Sequence, residues 1–446
     1  MAIEVFAIGG YNEVGKNMTA VRYGKQIVVF DMGLHLDRYI SFKGDEDIDQ
    51  GSTAELRKVG AIPDDSILRD VRRGVCAIIP THAHLDHVGA LPFLSNSYNA
   101  PIICTPYTAE VIRVMVKDNA MKLRNPIKVL NVNSTLRLSD ELKVEFINAT
   151  HSTPQTVMVA LHTPEGVVLY ANDFKFDSFP IIGKKPNMKR LEELGESGSV
   201  KVMIVDGTRA NYARKTPSEA VAREMLRDVM TGIEQRDEAV IVTTFSSHIA
   251  RLKSIVEFGK KLDRRIAFLG RSLVKYINAA ETIGLVNFSK DADMVKYRSK
   301  IKRYLKRVVR DGKSKYLLIV TGHQGEPDSV LTKMVNDELP FSFSRNDRVI
   351  FSCNIIPNAM NIANREVLES RLKQQSVRIF KDIHVSGHAS REDHRDLINT
   401  VRPKHIIPAH GDISMCSALS ELASEMGYEL GKGIHLMQNN QSLVLE

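Results

Sequence analysis

THAHLDHVGALP, residues 81–92, places His82, His84, Asp86 and His87 within one short loop, directly after the apolar run VCAIIP. Alternate residues of an extended stretch point to opposite sides, so such a loop can present imidazoles and a carboxylate to two adjacent cations. Imidazole nitrogens and carboxylate oxygens suit Zn2+, and a catalytic site keeps one position open for water. One loop does not carry enough ligands for two metals. The others must come from elsewhere in the chain.

A recurring local pattern supplies them. QIVVF ends at Asp31, VEFINAT leads into His151, VVLYAN into Asp173, VMIV into Asp206, and HIIPA into His410. Continuous Val/Ile-rich runs read as buried strands, and their alternation with amphipathic segments predicts an α/β fold. Each polar residue falls at the C-terminal end of its strand, where sheet-based enzymes gather their chemistry. His151 and Asp173 are then the natural third ligand and bridging carboxylate. His410 completes the second metal, and Asp31 orients a ligand histidine from behind. The expected cofactor is two Zn2+ per chain, with Mn2+ as the alternative.

The middle of the chain repeats the pattern with other residues. AVIVTTF precedes Ser246, Ser247 and His248; RIAFLG precedes Arg271; YLLIV precedes TGHQGEP; RVIFS precedes Cys353. Four strand–loop–helix units in a row predict a second, doubly wound α/β domain inserted into the first. The expected organisation is residues 1–208, an insert over 209–382, and a return over 383–446. The insert holds 33 Lys+Arg against 20 Asp+Glu, a net of 33 − 20 = +13, whereas the whole chain carries +8. That asymmetry points to a polyanionic partner. Residues 295–315 read as an amphipathic helix with a basic face, and residues 41–52 as an acidic surface loop.

Several classes are excluded. Nothing approaches an apolar run of about 20 residues, so no membrane span is expected. The start, MAIEVFAIGG, reads as a first strand rather than a signal peptide. Cys76, Cys104, Cys353 and Cys416 lie far apart without a CxxC pair. That argues against a disulfide framework or thiolate zinc site and for the cytoplasm.

Asp31, the THAHLDH loop, His151 and Asp173 together resemble the signature of the metallo-β-lactamase superfamily. The resemblance implies an αββα sandwich with a dimetal site at one edge. Asp206 in IVDGTRA, His388 in VSGHASRED and His410 in PAHGD resemble the three motifs of its β-CASP branch, whose members act on nucleic acids. GGYNEVGKNMTAVRYG, GRS and TGHQGEP are similar to the ribonuclease J family, archaeal type. That family implies trimming of single-stranded RNA from a 5′-monophosphate end, 5′→3′, with the RNA passing between the two domains. His388 would stabilise the pentacovalent state or protonate the leaving oxygen, with Asp206 fixing its orientation. Asp86 joins them as a catalytic carboxylate as well as a ligand.

Backbone N–H groups at helix N-termini can cradle a phosphate. On that ground Ser386, Gly387, His388, Ala389 and Ser390, and separately Ser247 and His248, are expected RNA contacts; Arg271 is a further one, by the reach of its side chain to phosphate. Helix capping is the alternative for the serines of the 246–247 loop, and internal pairing for Arg271. Three rival functions are weighed: an endoribonuclease of the mRNA 3′-end-processing type, a small-molecule hydrolase, and a non-catalytic RNA-binding scaffold. Asn172 departs from the family's usual Gly, and DGT from its usual DST. The sequence stops soon after His410, without the C-terminal domain of bacterial members, which leaves a homodimer open.

Overall fold

A computed structural model of the chain describes residues 1–44, 52–232 and 237–446. It divides into two compact units. One comprises Met1–Ser178, Lys184–Thr216 and Gly387–Glu446, the other Phe179–Gly183 and Pro217–Ser386.

The first unit is built on two sheets. One runs in the spatial order Gln441–Leu445, Ile3–Gly9, Met18–Tyr23, Gln26–Phe30, Val75–Ile79, Ile102–Cys104, Ile127–Val129. The other runs His405–Ala409, Val200–Asp206, Gly166–Ala171, Val157–Thr163, Lys143–Asn148, Thr135–Arg137. Successive side chains alternate faces, and both faces here are apolar. In the first strand Val5 and Ala7 enter the core between the sheets, while Phe6 and Ile8 enter a second core. Val28 and Phe30 divide from Ile27 and Val29 in the same way. Across the inner core Phe30 stacks on Tyr170, with centroids 4.9 Å apart.

Helices cover both outer faces. Leu91, Leu94, Ile112 and Met115 pack on the first sheet, and Leu191, Leu194, Leu397, Leu419 and Leu422 on the second. The result is the four-layer αββα sandwich. Truncating any one of these buried leucines to Ala costs about 2–5 kcal/mol.

The second unit holds six parallel strands in the order Ala292–Val295, Arg265–Leu269, Tyr316–Val320, Val240–Thr243, Arg348–Phe351, Arg378–Phe380. Parallel strands need long crossovers, which the helices Ile249–Lys261, Arg271–Thr282, Arg298–Asp311 and Ala359–Gln374 provide. This is the doubly wound insert. Against the 209–382 expected, the unit runs 217–386 and takes in 179–183. Hydrogen bonding accounts for the difference. Thr216 bonds the Asp393 carboxylate and the His388 carbonyl, which ties 209–216 to the sandwich. The Ile383 carbonyl accepts from Arg251 and Ser352, which ties 383 to the insert.

The basic segment contains the helix Arg298–Asp311, which buries Ile301, Tyr304, Leu305 and Val308 and exposes its cations, as its amphipathic spacing requires. Of the expected acidic loop, residues 41–44 instead close the helix Leu36–Gly44, residues 45–51 lie outside the described residues, and Ser52 caps Thr53–Lys58. No helix among the described residues is long and apolar enough to cross a membrane.

Candidate metal centre

Seven histidines and aspartates of the sandwich meet at the ends of its strands. His82, His84, Asp86 and His87 follow Val75–Ile79; His151 follows Lys143–Asn148; Asp173 follows Gly166–Ala171; His410 follows His405–Ala409. Asp31 (φ 57°), Asp173 (φ 55°) and His410 (φ 51°) leave their strands in the left-handed region. Non-glycine residues enter that region at a cost, typically where a function needs the side chain turned. His82, His87, Asp173 and His410 are almost wholly buried.

The donor atoms form two groups sharing one carboxylate. His84 Nδ1 lies 3.1 Å from both His82 Nε2 and His151 Nε2. Asp173 Oδ2 lies 3.4 Å from the same two Nε2 atoms. Tetrahedral zinc with bonds of about 2.05 Å has donor–donor edges of about 3.3 Å. The second group is wider. Asp86 Oδ2 is 3.7 Å from both His87 Nε2 and His410 Nε2. Asp173 closes this group too, with Oδ2 3.4 Å from His87 Nε2 and Oδ1 3.4 Å from His410 Nε2.

The protonation preferences of the first group suit a cation. Burial, reinforced by neighbouring His82, pushes His84 down to about 3, and burial also lowers His82 and His151. Neutral imidazole is the form that ligates a metal. Burial opposes charge on His87 as well, but Asp173, Asp31 and Asp86 outweigh it and raise its pKa. Asp173 Oδ1 is buried and accepts no hydrogen bond, a lone pair that a cation satisfies. Asp86 keeps its side chain 20% exposed, which gives the second group an open edge. The donor set therefore fits two divalent cations of the zinc type.

A further layer fixes the rings. His87 Nδ1 donates to Asp31 Oδ2 (2.8 Å), and His151 Nδ1 donates to the Gly387 carbonyl (2.7 Å). Thr81 donates to Asp31 from its N–H and hydroxyl, and the hydroxyl sits 3.0 Å from His82 Nδ1. In each case the partner holds Nδ1 and leaves Nε2 for the cation. Next to this layer, Asp206 Oδ2 accepts from His388 Nδ1 at 2.8 Å, while Thr208 donates to Asp206 Oδ1 from both N–H and hydroxyl. Burial disfavours the imidazolium of His388, but Asp206, with Asp173 behind it, prevails and lifts its pKa to about 9.

Comparisons with known proteins agree with this geometry. Residues 11–231 match the metallo-beta-lactamase superfamily. Residues 237–369 match the beta-CASP domain of ribonuclease J. Residues 376–433 match a Zn-dependent metallo-hydrolase RNA specificity domain. Ribonuclease J of Methanocaldococcus jannaschii is 45% identical, over 100% of this chain and 99% of that one. The chain belongs to the ribonuclease J family. Ribonuclease J of Pyrococcus abyssi is 44% identical, over 98% and 96% of the two chains. A solved protein of unknown function from Enterococcus faecalis V583 shares the fold, with a TM-score of 0.66 at 16% identity and 100% of both chains covered.

Among the RNA contacts expected from free backbone N–H groups, Ala389 and Ser390 need correction. Both are fully buried. The Ala389 N–H donates to the Phe174 carbonyl, and the Ser390 N–H to the Asp393 carboxylate. Ser390 and Asp393 form the capping box of helix Arg391–Val401, so these groups serve the fold. Gly387 has a different reason to be small, since a Cβ there would lie 2.9 Å from the His151 ring. Within the insert, His248 is buried with Nε2 3.4 Å from Glu219, so its imidazole is engaged by a carboxylate inside that unit. Ser247 is buried and Ser246 bonds the Ser272 hydroxyl; neither caps the following helix, where His248 is the N-cap. Arg271 is exposed in the first turn of Arg271–Thr282, and Ser386 is half-buried in the insert.

Two polar residues, Asn17 and Tyr170, escaped the sequence reading. The Asn17 carboxamide lies 2.8 Å from His410 Nδ1. The Tyr170 hydroxyl donates to Asp31 and accepts from Asn172. Asn17 stands inside the ribonuclease J-like stretch GGYNEVGKNMTAVRYG, which is the one signal that pointed toward it.

Proposed function

We propose that this member of the ribonuclease J family is a zinc-dependent ribonuclease that degrades single-stranded RNA from a 5′-monophosphate end, 5′→3′. The observation that carries the reading is the adjacency of two donor groups that share Asp173 and a His388–Asp206 pair. The RNA specificity domain matched by residues 376–433 supports RNA as the polyanion, as do the printed names of the relatives. The net charge of the insert supports the same class. A cytoplasmic setting suits the four free thiols.

His82, His84, His151 and Asp173 would hold one Zn2+, and Asp86, His87, His410 and Asp173 the other. When bound, the pair supplies Lewis acidity toward a phosphodiester and lowers the pKa of the attacking water. The chain's own residues do the rest. Asp31 and the Gly387 carbonyl hold the His87 and His151 rings in the tautomer that ligates. His388, oriented by its hydrogen bond to Asp206, offers an N–H to the charge growing on the phosphate, or a proton to the departing 3′-oxygen. The product carries a 5′-phosphate.

The test uses zinc-loaded protein and one RNA labelled at its 3′ end, prepared with 5′-monophosphate, 5′-triphosphate and 5′-hydroxyl ends. The expected result is progressive shortening from the 5′ end, fastest with the monophosphate and absent in His84→Ala. Discrete internal cuts indifferent to the 5′ group would move the assignment to an endonuclease. Binding without cleavage would move it to a scaffold.

A further inference from the structure

The segment after Asp206 leaves its strand and runs beside the loop that carries His388. The Arg391 N–H donates to the Tyr212 carbonyl (3.0 Å), and the Glu392 N–H to the Arg214 carbonyl (3.2 Å). The Thr216 hydroxyl donates to the His388 carbonyl (2.7 Å). At its other end, the Thr208 hydroxyl sits 3.1 Å from His388 Nδ1, and Arg209 follows directly. Residues 208–216 are thus stitched along the His388 loop within the sandwich unit.

This segment carries an arrangement that the metal centre does not use. The Arg209 guanidinium lies over the Tyr212 ring, 3.9 Å from its centroid, and Arg214 lies 5.9 Å from the same centroid. Tyr212 is 44% exposed, a large aromatic ring open to solvent. Arg209 forms no ion pair among the described residues. Its Nε is buried without a hydrogen-bond partner. A buried guanidinium donor without an acceptor is costly in a folded protein, and the planar fork of Arg suits phosphate. An exposed ring flanked by arginines is how single-stranded nucleic acid is gripped: bases stack on the ring and cations follow the backbone.

We propose that Arg209 and Tyr212 form a nucleotide subsite beside His388, Arg209 taking a backbone phosphate of the RNA and Tyr212 stacking on the neighbouring base. The inference rests on the ribonuclease reading. Arg214, on the exposed flank of the same ring, adds charge to the subsite. Stacking is indifferent to base identity, so the subsite holds the strand without selecting sequence.

The experiment uses the zinc-loaded full chain and a fluorescent 5′-monophosphorylated RNA, measuring KM, kcat and Kd across a salt series, with Tm as the check on folding. Tyr212→Ala is expected to raise Kd and KM about tenfold or more, with a much smaller change in kcat. Tyr212→Phe keeps the ring and should match the wild type. Arg209→Gln should flatten the plot of log affinity against log salt by about 0.7, the share of one phosphate contact on a single strand. Arg209→Lys should restore that slope.

Wild-type affinity in Tyr212→Ala, or an equal loss in Tyr212→Phe, overturns the stacking. An unchanged slope in Arg209→Gln overturns the phosphate contact. A wild-type protein that neither binds nor cleaves RNA removes the ribonuclease reading and the subsite with it. Wild-type cleavage with indifferent variants removes the subsite alone.

Discussion

Replacing Asp31 by asparagine changes one atom and leaves the volume of a fully buried side chain intact. The carboxylate accepts from the Thr81 N–H (2.8 Å) and hydroxyl (3.0 Å) at Oδ1, and from the Tyr170 hydroxyl (3.1 Å) and His87 Nδ1 (2.8 Å) at Oδ2. Asparagine keeps an oxygen for Thr81 but sets an NH2 group where Oδ2 stood, facing two donors. The conflict is relieved if His87 changes tautomer, so that Nδ1 accepts and the proton moves to Nε2. Nε2 is the atom 3.4 Å from Asp173 and 3.7 Å from Asp86, and once protonated it cannot ligate.

The damage therefore concentrates on one of the two donor groups. Loss of such an orienting partner costs about 10–100-fold in metal affinity, or about 1.4–2.7 kcal/mol. Zinc uptake measured by elemental analysis across a chelator-buffered series should show two sites in the wild type. Asp31→Asn should fill the His82, His84, His151 and Asp173 site at wild-type affinity and the other only at higher zinc. Two sites filling as in the wild type would refute the reasoning. So would loss of both in a variant whose circular dichroism shows an intact fold.

His388→Ala should reduce turnover about 10²–10⁴-fold while retaining two zinc ions per chain, because its Nδ1 is engaged by Asp206; loss of zinc would make it a ligand instead. Gly387→Ala brings a Cβ to 2.9 Å from the His151 ring and 3.0 Å from the Ser152 backbone nitrogen, so zinc affinity at that group should fall, and Tm should fall with it, since overpacking costs about 1–3 kcal/mol. Burial raises the Glu145 pKa, but hydrogen bonds from His162 and Arg190 outweigh it and take the carboxyl from 4.5 down to about 2. Its folded-state pKa is depressed, so its stabilisation is present above 4.5 and is lost as pH falls toward 2. The Tm gap between wild type and Glu145→Gln should therefore close over that interval; a constant gap would count against the ion pair.

The sandwich, the insert and the cluster of His82, His84, Asp86, His87, His151, Asp173 and His410 were legible because each rests on a local signal. A Val/Ile run names a strand, and a polar residue at its end names a position on the sheet edge. The residues whose surroundings the sequence did not show answer to longer-range partners. His248 looked like part of a phosphate loop until the fold set Glu219 against it from another helix. Tyr170 reaches Asp31 across the inner core, through a contact separated by most of the first domain segment. Ala389 and Ser390 are a different case. The S-x-x-D spacing of Ser390 and Asp393 already spelled a capping box, a competing use for the same N–H groups. Residues 41–44 read as loop because the polarity that follows them hides the apolar spacing of Leu36, Tyr39 and Phe42, which pack against the outer core.

Asp31, Asp173 and His410 all turn out of their strands with positive φ, and this sets stability against use. Glycine would occupy each turn without the steric penalty of a Cβ, so the backbone alone would favour it at these three places, although at Asp31 four hydrogen bonds to the buried carboxylate weigh the other way. Each such gain would delete a donor or the carboxylate behind one. A programme to harden this protein should therefore leave these turns unrelaxed, and those three positions are the ones to hold fixed.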